Sequence, residues 1–122
     1  MPVSVLVVDD SPIARKMLIR SLPAEWDIEI TQASNGFEAL AAYRAGKVDV
    51  MFLDLTMPEM DGYQVLETLR SEDLNCLVIV VSADVQERAK ERALQLGAIA
   101  FIQKPVSAVG LSEVLKQYGM LV

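Results

Sequence analysis

The run Val3-Ser4-Val5-Leu6-Val7-Val8-Asp9-Asp10-Ser11-Pro12 decides how the rest of the chain is read. Its first six residues are nearly all apolar and β-branched. That is the pattern of a strand covered on both faces in a parallel sheet, not of one alternating between core and water. Two carboxylates follow at once. Ser11-Pro12 then reads as an N-cap and a proline at the first helical position, where a missing amide costs nothing. A strand, an acidic turn and a helix start are therefore expected in immediate succession.

The same order recurs along the chain. Val48–Leu53, Leu77–Val81 and Ile99–Ile102 resemble the first run, and Ile28–Thr31 is a weaker version of it. Between them lie segments of helical period: Phe37–Ala45, then Val85, Ala89, Ala93 and Leu96, then Leu111, Val114, Leu115 and Tyr118. Each can lay one apolar stripe on a sheet. Gly46 and Gly97 stand where helices should end, and Asp84 with Glu87 reads as a capping box. Met17 and Met51 read as packing, Phe101 as a core strand residue and Cys76 as a small core residue. Five alternating βα units with right-handed crossovers imply one α/β domain over residues 1–122, a doubly wound five-stranded parallel sheet of order 2-1-3-4-5 with five helices, flavodoxin-like.

Composition narrows the chemistry. The net charge is -6 and basic residues are scattered, as in Arg15-Lys16, so the electrostatic footprint of a nucleic-acid binder is missing. No apolar run approaches the roughly 20 residues of a membrane span. The N-terminus shows no basic segment ahead of an apolar one, so a cytoplasmic location is expected. A single cysteine cannot form an internal disulfide, and the absence of histidine excludes a Ser/His/Asp triad and the common transition-metal sites. Carboxylates, hydroxyls and lysine remain.

In sheets of this kind ligands bind beyond the carboxyl ends of the strands, near the point where strand order reverses. The residues there are Asp9 and Asp10 after the first strand, Asp54 after the third, Ser82 after the fourth, and Lys104-Pro105 after the fifth. Three carboxylates brought together cannot all ionise cheaply without a counter-charge. Oxygen-only ligands favour a hard cation, Mg²⁺ above all, with Mn²⁺ as a substitute. With such an ion in place Asp54 can act as a nucleophile toward phosphorus, while Lys104 and Ser82 face the phosphoryl oxygens. Taken singly, each residue is commonplace as a turn former, cap or solvated charge. Their coincidence at four strand ends carries the reading.

In order and spacing, Val-Val-Asp9-Asp10-Ser-Pro, Phe-Leu-Asp54-Leu-Thr-Met-Pro-Glu-Met-Asp-Gly62, Val-Val-Ser82-Ala83 and Phe101-Ile-Gln-Lys104-Pro105 resemble the receiver domain of two-component response regulators along the whole chain. The resemblance implies Asp54 as phosphoacceptor. It implies Asp9, Asp10, Asp54 and the Thr56 backbone carbonyl as Mg²⁺ ligands, Asp9 mainly through water. Ser82 would be the switch hydroxyl, Lys104 the phosphoryl contact, Phe101 the switch aromatic and Lys104-Pro105 a cis peptide. A sensor histidine kinase or a histidine phosphotransfer protein would be the donor, or else a small phosphodonor. Output would pass through helix four, strand five and helix five to an unidentified protein, with chemotaxis as one plausible setting.

Some positions depart from the commonest pattern. Phe101 lacks a hydroxyl, and Val106 follows Pro105 where an aromatic is frequent, which loosens packing at the start of helix five. Thr56 and Asp84 occupy positions that the family uses to tune phosphoryl lifetime. Helix five, with Ser107, Ser112, Glu113 and Lys116, shows no clear version of the charged dimerisation set, so a monomer is expected. Three rival functions share part of the pattern. A Mg²⁺-dependent phosphohydrolase of the haloacid dehalogenase type would carry an acid where Thr56 stands. A flavin binder would meet repulsion from Asp9 and Asp10, and a phosphate relay would need no dedicated output.

Overall fold

The computed structural model describes residues 2–46, 48–84 and 86–120. Strands β1 (Val3–Val8), β2 (Ile28–Ala33), β3 (Val50–Leu53), β4 (Leu77–Ser82) and β5 (Ala100–Gln103) alternate with helices α1 (Pro12–Ser21), α2 (Gly36–Arg44), α3 (Gly62–Ser71), α4 (Glu87–Gln95) and α5 (Ala108–Gln117). All neighbouring strands run parallel, in the order β2-β1-β3-β4-β5. This is the doubly wound architecture that the alternating pattern predicts.

The period of two along a strand explains why the runs are apolar throughout. Leu6 and Val8 of β1, with Met51, Leu53, Val78 and Val80, face α2, α3 and α4 and meet Leu40, Leu66 and Ala93. Val5 and Val7, with Phe52, Ile79 and Val81, face the other way and meet Leu18 of α1 and Leu111 and Leu115 of α5. Both faces are dry, so neither parity of residue can be polar.

The helix signals hold in part. Ser11 is the N-cap of α1 and accepts the Ala14 amide, with Pro12 in the first turn. Gly46 and Gly97 have φ of +76° and +113°, the left-handed region in which a side chain is strained. The capping box at Asp84 and Glu87 does not form. The N-cap of α4 is Gln86, which makes no side-chain cap bond, and the Asp84 carboxylate instead accepts the Gln86 amide, 2.9 Å away. The sequence reading misses three real caps: Asn35 on Glu38 at α2, a reciprocal box of Asp61 with Gln64 at α3, and Ser107, which accepts the Gly110 amide, at α5.

Boundaries shift where burial and strand differ. β2 runs on to Ala33, and Val48 and Ile99 precede their strands. Tyr118 is the exposed C-cap of α5 rather than a member of its stripe, and Val85 lies outside the described residues. Met17 is not a packing residue: it is 50% exposed on α1, whereas Met51 is fully buried.

Candidate functional site

Asp9, Asp54 and Lys104 each stand one step beyond a strand yet are still held by the neighbouring strand, whereas Ser82 is the last residue of β4. The Asp9 amide donates to the Ala33 carbonyl at 3.1 Å, that of Asp54 to Val8 at 3.0 Å, and that of Lys104 to Ser82 at 2.8 Å. The sheet itself therefore fixes where these side chains start. Asp9 and Asp54 are each 6% exposed and Ser82 is 1% exposed, while Asp10 is open to solvent.

One carboxylate oxygen from each of Asp9, Asp10 and Asp54 lies within 4.8 Å of the others. Lys104 Nζ is 2.7 Å from Asp9 Oδ2 and 3.5 Å from Asp54 Oδ1. Burial first, and the charge of Asp9 second, push the Asp54 carboxyl above the usual carboxylate range; Lys104 and the Thr56 amide pull the other way without cancelling this. Burial would draw the Lys104 ammonium down, but its hydrogen bond to Asp9 and the charges of both carboxylates outweigh that and raise it. Lys104 is therefore held as a cation against Asp9 and Asp54, with Asp10 the third carboxylate of the cluster. The remaining negative charge and the all-oxygen donor set suit a hard divalent cation such as Mg²⁺.

Comparison with known proteins settles the family. The model of the response regulator receiver domain matches residues 5–116. This chain belongs to the response regulator receiver family.

The receiver is 38% identical over 113 residues to the chemotaxis protein CheY of Listeria monocytogenes, covering 92% of this chain and 94% of that protein. It is also 38% identical over 122 residues to a protein-glutamate methylesterase/protein-glutamine glutaminase of Anaeromyxobacter dehalogenans, with 99% of this chain covered but only 34% of that protein. The chain thus spans about a third of the length of the latter relative. Among solved structures, the receiver domain of the putative response regulator NarL from Mycobacterium tuberculosis superposes with a TM-score of 0.85 at 32% identity, covering 96% of this chain and 95% of that one. CheY of Borrelia burgdorferi, solved with CheX, BeF₃ and Mg²⁺, does so with 0.86 at 34% identity, covering 97% and 90%.

In this receiver the Ser82 hydroxyl oxygen accepts the Asp84 amide at 3.1 Å, which ties it to the turn that opens α4. Thr56, two residues past Asp54, has an exposed side chain, and the Lys104–Pro105 bond is cis. Phe101 sits opposite Val80 in the β4–β5 ladder, half-buried against the α2–α3–α4 layer. It stands apart from the carboxylates, on the side where β5 meets α4.

Two supporting residues went unread in the sequence. Arg15 donates from its guanidinium to the Asp9 backbone carbonyl and, at 2.9 Å, to the Gln32 side chain, pinning the acidic turn. A long helical side chain leans toward the N-terminus of its helix, so an Arg one turn past the cap was a usable signal. Gly62 is the other. Its amide donates to the Leu55 carbonyl at 2.9 Å, and a Cβ there would lie 2.4 Å from the Asp54 carbonyl oxygen. Only glycine lets α3 start this close to the end of β3.

No helix among the described residues is long and apolar enough to cross a membrane.

Proposed function

We propose that this receiver accepts a phosphoryl group on Asp54 and signals through protein contacts of its α4–β5–α5 face, acting as one domain over residues 1–122 and as a monomer. The observation that carries the reading is the convergence at the carboxyl edge of one sheet of Asp9, Asp10 and Asp54, with one oxygen of each within 4.8 Å of the others, and of Lys104, 2.7 Å from Asp9 and 3.5 Å from Asp54. The Borrelia CheY was solved with BeF₃ and Mg²⁺, which supports the same chemistry in a chain 34% identical.

Asp54 supplies the attacking oxygen. The product is a mixed anhydride of carboxylic and phosphoric acids that carries more negative charge than the carboxylate it replaces, so it depends on Lys104 and a bound cation for neutralisation. Asp9, Asp10, Asp54 and the Thr56 backbone carbonyl would hold Mg²⁺ or Mn²⁺, which neutralises charge on the phosphoryl oxygens when bound. Lys104 turns from Asp9 toward a phosphoryl oxygen, and Ser82 leaves the Asp84 amide to donate its proton to another. That exchange loosens the turn ahead of α4 and lets Phe101 move inward, so the change at Asp54 reaches the outer face through a two-state rearrangement. The protein is then a phosphoacceptor that turns over only its own phosphoryl group. Its donor is a sensor histidine kinase or a histidine phosphotransfer protein, since the chain supplies no histidine of its own, or else a small phosphodonor.

The test is incubation with a small acyl phosphate and Mg²⁺, followed by intact-mass and peptide analysis. A single phosphoryl adduct, labile to hydroxylamine and absent from Asp54→Asn, is expected. An adduct that persists in Asp54→Asn would refute the assignment.

A further inference from the structure

Beside the acidic cluster a cavity of 340 Å³ runs between α1 and the segment joining β5 to α5. Val7 and Val81 of the sheet, Ala14, Met17 and Leu18 of α1, and Val106 form its apolar wall, while Asp9, Asp54 and Lys104 supply its charged lining. A concave, mostly apolar space with a few convergent charged groups is the usual form of a small-molecule site, and this one lies at the lower end of the usual size range. An apolar cavity of about 150 Å³ holds benzene in another protein, so this one has ample room for a short acyl chain. It stays open because Val106 and Ala14 are too small to fill it, and Met17, half exposed at its wall, is a flexible side chain that can close over an occupant.

The two ends of the cavity call for two chemistries in one ligand. The charged end is where Asp54 and Lys104 meet a phosphoryl group, and the other end gains from any apolar group attached to it. Resting on the assignment of Asp54 as acceptor, we propose that the cavity receives the acyl group of an acyl phosphate, so that this receiver prefers a short-chain apolar donor such as butyryl phosphate to acetyl phosphate. One Asp54 oxygen bonds to phosphorus while the phosphorus–oxygen bond to the acyl group breaks. The electron pair of that bond leaves on the departing carboxylate, and no proton or electron is exchanged. Acetate and butyrate are leaving groups of closely similar basicity, so a rate difference between the donors reports the cavity and not the bond being broken.

The experiment compares second-order rate constants for Asp54 labelling by the two donors at equal Mg²⁺. Burying two further methylenes predicts a butyryl-to-acetyl ratio of about ten. Val106→Phe, which fills the cavity from one wall, and Ala14→Leu, which fills it from the other, should each bring the ratio to about one. The binding counterpart uses the methionine methyl resonances: butylphosphonate with Mg²⁺ should shift Met17, and methylphosphonate should not. A ratio near one in the unaltered protein, a ratio untouched by both fillings, or a Met17 signal indifferent to butylphosphonate would overturn the proposal while leaving Asp54 as acceptor. Labelling of Asp54 by neither donor would instead overturn the acceptor reading, and the cavity proposal with it.

Discussion

Lys104 is bonded to Asp9, with 2.7 Å between its Nζ and Asp9 Oδ2, across a separation of 95 positions in the chain. Asp54 is left as the less satisfied carboxylate, with its Oδ1 3.5 Å from the same ammonium. The lysine thus holds the Asp9 carboxylate in place while leaving Asp54 without an equally close cation. Lys104→Met removes the cation and leaves Asp9 unpaired at 6% exposure. The protein without divalent ions should lose about 1–2 kcal/mol, since the pair is only partly buried. Mg²⁺ should bind severalfold more tightly to the uncompensated carboxylates, while labelling of Asp54 slows at least about tenfold. Denaturant titration, calorimetric Mg²⁺ binding and the labelling rate measure the three effects separately.

Asp54→Asn should stabilise the metal-free protein. The folded pKa of Asp54 lies above its ordinary value because of burial and then Asp9. For a carboxyl so raised, the folded state favours the neutral form, and stability falls as pH climbs from the ordinary aspartate pKa through the folded one. The amide keeps the shape without the charge. Below that window the two proteins should melt alike; above it the variant should melt a few degrees higher. Mg²⁺ should narrow the gap by raising the melting temperature of the unaltered protein more.

Gly62→Ala should be far more damaging than Gly46→Ala, although only Gly46 has a positive φ. A Cβ at Gly62 meets backbone at 2.4 and 2.8 Å, at the Asp54 carbonyl oxygen and the Leu55 Cα, whereas a Cβ at Gly46 has nothing within 4 Å. The first requires the acceptor loop to move, for a loss of about 2–3 kcal/mol and much slower labelling of Asp54. The second carries only conformational strain of about 1 kcal/mol and leaves labelling intact. Chemical denaturation alongside the labelling assay separates the two.

Cys76 should be a poor nucleophile. Burial, and then Asp49, push its thiol up to about 11. At pH 8 a disulfide reagent should react about a hundredfold more slowly than with an ordinary free thiol. The rate should recover fully in denaturant.

The fold was legible because three central strands are buried on both faces, and nothing but uninterrupted apolar runs can satisfy that environment. It was less legible at the edge. In β2, Glu29, Thr31 and Gln32 are exposed, so no apolar signal marks the true end of the strand at Ala33. Val48 misleads in the opposite sense, being buried without belonging to a strand. Among the site residues, polar groups directly after apolar runs were visible because a carboxylate has few reasons to stand at the rim of a dry sheet. Arg15 and Gly62 act through backbone atoms of Asp9 and Asp54; the helix position of Arg15 was a usable signal, but nothing in the side-chain types announces the close approach at Gly62. The spacing of Asp84 and Glu87 fitted a capping box, but the Asp84 carboxylate is taken by the Gln86 amide two residues on, which moves the helix start past it.

The three backbone hydrogen bonds that tie Asp9, Asp54 and Lys104 to neighbouring strands also bear on how the protein is made. The acid turn, the acceptor and the ammonium emerge from the ribosome early, midway and late, and they meet only after the sheet has closed from β2 to β5. A partly synthesised chain carries Asp54 without the lysine that steadies Asp9, so the charged cluster is assembled only when the sheet is complete.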